Sequence, residues 1–255
     1  MRPPHDLAAL IDVHATEHAN VRDILNAAVD AEADAVFLTD HDIPQARRDG
    51  YEGWHQGVLL LVGIEIRPQT MIELWSQERV TDHPPALKVA EWDRLCQRRR
   101  VVAIGGLGAH QTGLHPTEGF FRMLRTHLLC ERPPTGDLHA DRKLVLDALR
   151  RGRCFLGRDS LANTRNFRFF ADGPNRFLPM GAEAPADDWT LHVRLPMEAE
   201  LRLIRDGLES HCFHRCRRLD LPCAEPGVYR VEARLRVQGR VRTWIVSNPL
   251  YLRAR

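Results

Sequence analysis

The sequence predicts an α/β unit followed by an all-β unit. Residues 1–157 read as an incomplete (open or distorted) β/α barrel, and residues 158–255 as a small antiparallel β-sandwich domain. Three observations carry this. In the first part, short apolar runs alternate with stretches of helical periodicity, the grammar of parallel β/α units. After about residue 158, apolar and charged residues alternate with period two and no helical pattern recurs. The first part also holds only some five strand-like runs in its 157 residues. A closed eight-unit β/α barrel typically takes ~250 residues, with a lower limit near ~200.

Taken in order, Leu7 to Val13 reads as a strand leading to His14. Asn20 caps a helix whose apolar positions Val21, Ile24, Leu25, Ala28 and Val29 share one face. Ala35 to Leu38 and Val58 to Val62 read as short buried strands. A helix follows from Pro84 to Arg99, then a strand from Val101 to Ile104. Two more helices are expected, Thr117 to Leu129 with a threonine cap and Asp141 to Arg150 with an aspartate cap. Cys154 to Leu156 closes this part as a strand. In the second part, Asn166 to Ala171, Trp189 to Leu195 and Glu200 to Arg205 are strand-like. Tyr229, Val231, Ala233, Leu235 and Val237 mark a core face, with Arg230, Glu232, Arg234 and Arg236 on a wet face. Gln238-Gly239 turns the chain into Arg240 to Ser247, and a short last strand follows Asn248-Pro249. Trp92 and Trp244 are the expected anchors of the two cores, and Phe120-Phe121 and Phe169-Phe170 read as core pairs.

Composition excludes several function classes. The longest apolar run, Val58 to Ile64, falls far short of the ~20 residues of a membrane span. The opening Met-Arg-Pro-Pro-His-Asp lacks the apolar core of a secretory signal, so the reading is cytoplasmic. Basic and acidic residues balance at 36 to 34, and all but Lys88 and Lys143 of the basic ones are arginine. Because the arginines are interleaved with acids, they read as a solvated mixed-sign surface rather than a nucleic-acid footprint. The six cysteines do not form a disulfide framework. His211-Cys212-x-His214-x-Cys216, with Cys223 nearby, lacks the paired rhythm of structural zinc and reads as reduced thiols and surface histidines on a loop.

The chemistry sits at the carboxyl ends of expected strands, where β/α folds build their sites. Asp12-Val13-His14, Thr39-Asp40-His41-Asp42, Gly63-Ile64-Glu65 and Gly105-Gly106-Leu107-Gly108-Ala109-His110 each follow an apolar run. Imidazole nitrogen and carboxylate oxygen are ligands for Zn, Mn or Fe, and ligands from several strand ends can meet at one point. Glu73, in Met71-Ile72-Glu73-Leu74-Trp75, rivals Glu65.

That order of motifs resembles the polymerase-and-histidinol-phosphatase (PHP) family of metal-dependent phosphoesterases, in a two-domain form with a C-terminal β domain. The likeness also runs through Glu91 to Leu95, Asp147 to Arg153, Pro226 to Glu232 and Trp244 to Tyr251. It implies Asp12, His14, His41, Glu65 and His110 as metal ligands, with Glu65 as the bridge, and Asp40 as the catalytic residue that ligates or orients the nucleophile. Asp12 alternatively holds His14 from behind. The chain is degenerate and shortened against the pattern. Thr16 stands where a second histidine belongs, the last D-x-H has become Gly108-Ala109-His110, and H-P has no clear counterpart. His18, His83 and His115 are the alternative ligands.

The resulting expectation is a metal-dependent hydrolase acting on a small phosphorylated substrate, with one weak Zn, Mn or Fe site at most. The alternative is a catalytically inactive scaffold or binding module of the same origin. Arg47, Arg48 and Arg67 are candidate phosphate ligands, weighed against an ordinary surface role. The segment Ile66 to Pro85, with Met71, Ile72, Leu74 and Trp75, is expected to cover the exposed side of the shortened sheet, either locally or as the contact of a homodimer.

Overall fold

The computed structural model describes residues 4–15, 20–39, 43–63, 70–76, 81–107 and 117–254, and of residues 43–45 the backbone alone. Strand β1 (His5–Val13) is apolar almost throughout because both of its faces are covered. Leu7, Ala9 and Ile11 enter one core layer, and Leu10 and Val13 enter another. Helix α1 (Val21–Asp30) begins where the Asn20 side chain accepts a hydrogen bond from the Asp23 amide at 3.0 Å, and it packs Ile24, Leu25 and Ala28 on the second layer. Strands β2 (Ala35–Leu38) and β4 (Val58–Val62) are buried at every position, as four- and five-residue apolar runs require. Between them come α2 (Ile43–Arg48) and the short β3 (Gly53–His55), which pairs antiparallel with β4.

Five strands run parallel: β5 (Met71–Ser76), β6 (Val102–Gly106), β1, β2 and β4, side by side in that order. The free edge of β1 is shared between two neighbours. Its carboxyl end meets β6 at Ile11↔Gly106, while His5 to Ala9 pair antiparallel with β7 (Arg125–Cys130). Antiparallel β8 (Cys154–Gly157) follows β7 and pairs in turn with β15 (Arg240–Ser247), so the hydrogen-bonded sheet continues past residue 157.

This corrects the expected β/α barrel. Among the described residues half are strand and only 19% are helix, in one large mixed, mostly antiparallel sheet. The expected helix Thr117 to Leu129 is a single turn, α4 (Glu118–Phe121), with Thr117 Oγ1 accepting from the Phe120 amide at 3.2 Å. Most of the rest is β7, buried at all six positions although Arg125, Thr126 and His127 are polar, so no apolar alternation marks it as a strand in the sequence. With β7 and β8 antiparallel, no run of β/α units remains to close a barrel. Ile66 to Pro85 is corrected in part as well. Met71 to Ser76 is a strand paired along one edge with β6, and its Leu74 and Trp75 are fully buried, so Trp75 offers no surface to a partner.

Helix α3 (Ala86–Arg98) lies within the expected span. Helix α5 (Leu138–Arg150) starts earlier than expected, at Asp137, whose side chain accepts from the Ala140 amide at 2.7 Å. Asp141 is not the cap. Buried, it accepts instead from the amides of Thr135 and Gly136 and holds the loop before the helix.

The remaining strands are β9 (Arg168–Gly173), β10 (Arg176–Pro179), β11 (Glu183–Pro185), β12 (Trp189–Arg205), β13 (Leu208–Cys223), β14 (Gly227–Val237) and β16 (Leu250–Arg253). The described residues after 157 contain no helix, as the period-two pattern requires. Trp189 to Leu195 and Glu200 to Arg205 are one 17-residue strand, bulged where the apolar alternation breaks. At the β14–β15 turn Gln238 and Gly239 both take positive φ, which suits the right-handed twist of a two-residue hairpin. The wet face expected on β14 is wet only toward its end, where Arg234 is half-buried and Arg236 exposed. Arg230 and Glu232 are buried, because α3 packs Asp93 and Trp92 against them.

Trp92 and Trp244 are both fully buried anchors, as expected. Trp244 lies in the layer of Phe155, Phe167 and Leu203, and Trp92 in the layer that joins Trp75, Cys96, Val228 and Tyr251. Asn248 ties the halves together. Its amide accepts from the Ala103 amide at 2.7 Å and donates to the carbonyls of Ala103 at 2.9 Å and Cys154 at 2.8 Å, as a strand residue would. Asn248→Ala leaves three buried backbone groups unpaired and is expected to lower stability by about 3 kcal/mol in urea denaturation.

Candidate functional site

Because β5, β6, β1, β2 and β4 are parallel, their carboxyl ends at Ser76, Gly106, Val13, Leu38 and Val62 share one edge of the sheet. The ladder carries on for one residue past three of these ends. Thr39 N donates to Val13 O at 2.9 Å, Gly63 N to Leu38 O at 2.8 Å, and Leu107 N to Ile11 O at 2.9 Å. The edge is therefore held in register where the expected ligands begin.

Asp12 is the distinctive residue of this edge. The register of β1 on β2 slips between Leu10 and Val13, so Ile11 and Asp12 together oppose Phe37 and form a β-bulge. Asp12 takes φ +62°, a left-handed conformation that costs an L-residue roughly 1 kcal/mol and is best tolerated by Asp and Asn. The bulge keeps Leu10 and Val13 on one core layer and turns the Asp12 carboxylate toward His14. Asp12 Oδ1 lies 3.2 Å from His14 Nε2 and accepts a 2.9 Å hydrogen bond from Thr39 Oγ1, which is itself 3.3 Å from His14 Nε2. His14 is buried and the Asp12 side chain is about a quarter exposed.

The structure thus brings together Asp12, His14 and Thr39 from β1 and β2. Asp40, His41, Glu65 and His110 lie outside the described residues, as do Thr16, His18, Arg67, Gly108 and His115. His83 is elsewhere in use. Its Nδ1 is 2.8 Å from Thr243 Oγ1 of β15, and it lines a cleft of about 330 Å³ with Arg202, Arg230, Glu232 and Arg234. Burial there, reinforced by the Arg234 charge, holds its pKa below that of ordinary histidine. Thr39 was visible in sequence only as the lead of Thr-Asp-His, and its tie to Asp12 exists only once β1 and β2 pair.

Glu73 sits on β5 opposite Ile104, with its carboxylate lying over Gly106. A Cβ at position 106 would come within 2.4 Å of Glu73 Oε1, so a larger residue there would push that carboxylate aside. Glu73 Oε1 is buried and has no hydrogen-bond partner among the described residues, while Oε2 lies 3.8 Å from Lys88 Nζ. This carboxylate of β5 therefore reaches over Gly106 of β6, the residue that pairs with Ile11 of β1. Arg47 reaches the same edge, its Nη2 donating to Val62 O at 2.8 Å, with its side chain nearly half exposed.

Asp12 and His14 offer two ligand atoms of a kind that divalent metals take. Two ligands bound at about 2.1 Å and set at a tetrahedral angle stand roughly 3.4 Å apart, close to the Asp12–His14 separation of 3.2 Å. Carboxylate plus imidazole suits Zn, Mn or Fe. Thr39, by donating to Asp12, fixes the carboxylate as outer partners of metal ligands commonly do. Among the described residues, no third His, Cys, Asp or Glu joins this pair within 4.8 Å.

The six cysteines are free, as expected, but Cys212, Cys216 and Cys223 lie on β13 and not on a loop. No described helix is long and apolar enough to cross a membrane. Compared with known proteins, the chain matches no family model, no curated protein and no solved structure.

Proposed function

We propose that this chain is a divalent-metal-dependent hydrolase of phosphate esters, with its centre at the carboxyl edge of the five parallel strands. The observation that carries the reading is Asp12, held in a left-handed bulge and locked by Thr39 beside His14. Backbone strain of this kind clusters where a side chain must be aimed. A bound divalent ion would supply Lewis acidity and a water of lowered pKa. Asp12 and His14 would hold it, Thr39 would orient Asp12, and the Arg47 guanidinium would meet the phosphoryl oxygens from the end of β4.

The test is metal content and turnover together. Protein purified without chelator is expected to retain close to one transition metal per chain or less and to hydrolyse p-nitrophenyl phosphate. Asp12→Asn and His14→Ala are each expected to weaken metal binding at least tenfold, while far-ultraviolet circular dichroism stays unchanged. Wild-type protein that holds no metal and turns over no ester, even with added Zn, Mn or Fe, would overturn the proposal in favour of the binding module.

A further inference from the structure

Strands β12 and β13 form a long hairpin, and one irregularity in it builds a second cluster of ligand atoms. Ala199 pairs with Cys216 and Leu201 with Phe213, so His214 and Arg215 together oppose the single residue Glu200. Through this bulge both Phe213 and Cys216 turn to the core side, where Cys216 is buried. Cys212 and His214 are left on the outer face with Glu200. The Cys212 thiol, a His214 ring nitrogen and a Glu200 carboxylate oxygen all lie within 4.8 Å of one another. His214 Nδ1 is 3.8 Å from Glu200 Oε2. Three such ligands around one zinc would stand roughly 3.2 to 3.7 Å apart, so small side-chain rotations close the set.

The surroundings leave Glu200 available. Arg234, opposite Glu200 on β14, and Arg202 are already paired with other carboxylates, Arg202 with Glu209 and Glu232 and Arg234 with Glu232.

We infer that Glu200, Cys212 and His214 form an exchangeable binding site for a thiophilic divalent cation of the zinc class, separate from the edge at Asp12. Thiolate and imidazole select such an ion over magnesium or calcium, and three protein ligands leave a fourth position open to water. The site bridges the two strands across the bulge. Its affinity rises with pH, because binding displaces the Cys212 proton.

Cobalt(II) is the probe. The full chain, stripped with chelator and titrated with cobalt, is expected to show a thiolate-to-metal charge-transfer band that zinc abolishes by displacement. The band should persist in Cys216→Ser and in the Asp12→Asn/His14→Ala double variant, which separates this site from the edge. Cys212→Ser should remove it. Glu200→Gln and His214→Gln should each weaken binding at least tenfold. Absence of the band in wild type, its survival in Cys212→Ser, or unchanged affinity in both Glu200→Gln and His214→Gln would each overturn the inference.

Discussion

Asp93→Ala is expected to lower the unfolding free energy by about 3–5 kcal/mol, a large share of the 5–15 kcal/mol that holds a typical domain together. Arg230 is 3% exposed, and its guanidinium donates to both Asp93 oxygens, at 2.7 and 2.8 Å. It also bonds Glu232 at 2.8 Å and lies 5.3 Å from the centre of the Trp92 ring. Removing Asp93 strands a buried cation that Glu232, shared with Arg202 and Arg234, does not fully neutralise. Replacing both partners by apolar residues of similar size, Asp93→Leu with Arg230→Met, should recover most of the loss, since the pair's desolvation cost then disappears as well. Urea denaturation of both variants decides the matter. A loss in Asp93→Ala below about 1 kcal/mol would show that the pair is not buried as described.

Raising the pH from about 6 to about 10 is expected to remove on the order of 3 kcal/mol of stability through one histidine. His127 is fully buried, stacked on Phe155 at 4.7 Å. Its Nδ1 donates to Asp6 at 2.8 Å, and its Nε2 lies 2.9 Å from Thr164 Oγ1 and 3.3 Å from Asp159. Burial alone would lower its pKa, but the hydrogen bonds and charges of Asp159 and Asp6 outweigh burial and raise it to about 9. Both carboxylates, despite burial, are held below the ordinary range, chiefly by the same imidazolium. The sign follows from linkage. A raised folded-state pKa contributes in full below the unfolded value near 6.5, and the contribution is lost as pH climbs to about 9. The carboxylates act oppositely, losing their contribution only as pH falls below the usual range of unfolded aspartate. His127→Asn should flatten the alkaline limb in urea denaturation measured across this range. A limb of unchanged slope would assign the loss to another group.

Much of the local structure was legible in the sequence because its causes are local. The limits of β2 and β4 follow from short apolar runs bounded by polar residues, and those of α1 from the Asn20 cap and a single apolar stripe. The all-strand character of the region after residue 157 follows from period-two alternation. The placing of Asp12 and His14 at a strand end was equally visible, because two residues at the close of an apolar run need no distant partner to be recognised.

Other features depend on contacts the linear order conceals. β7 reads as helix until Thr126 to Cys130 are seen paired with β1, more than a hundred residues earlier. β13 shows no clean alternation, because it is bulged and its outer side faces away from the core. Arg230 and Glu232 look solvated from their spacing, and only the docking of α3 buries them. The left-handed turn at Asp12 and its lock by Thr39 likewise arise from the register of β1 on β2. The sequence by itself determined β2, β4, α1 and the strand-end position of Asp12 and His14, since period, capping and side-chain type act over a few residues. The tertiary structure decided which faces are dry, which charges are paired, and that the strands join a mixed sheet instead of closing a barrel. Those outcomes depend on the pairing of segments far apart in the chain, which no local pattern encodes.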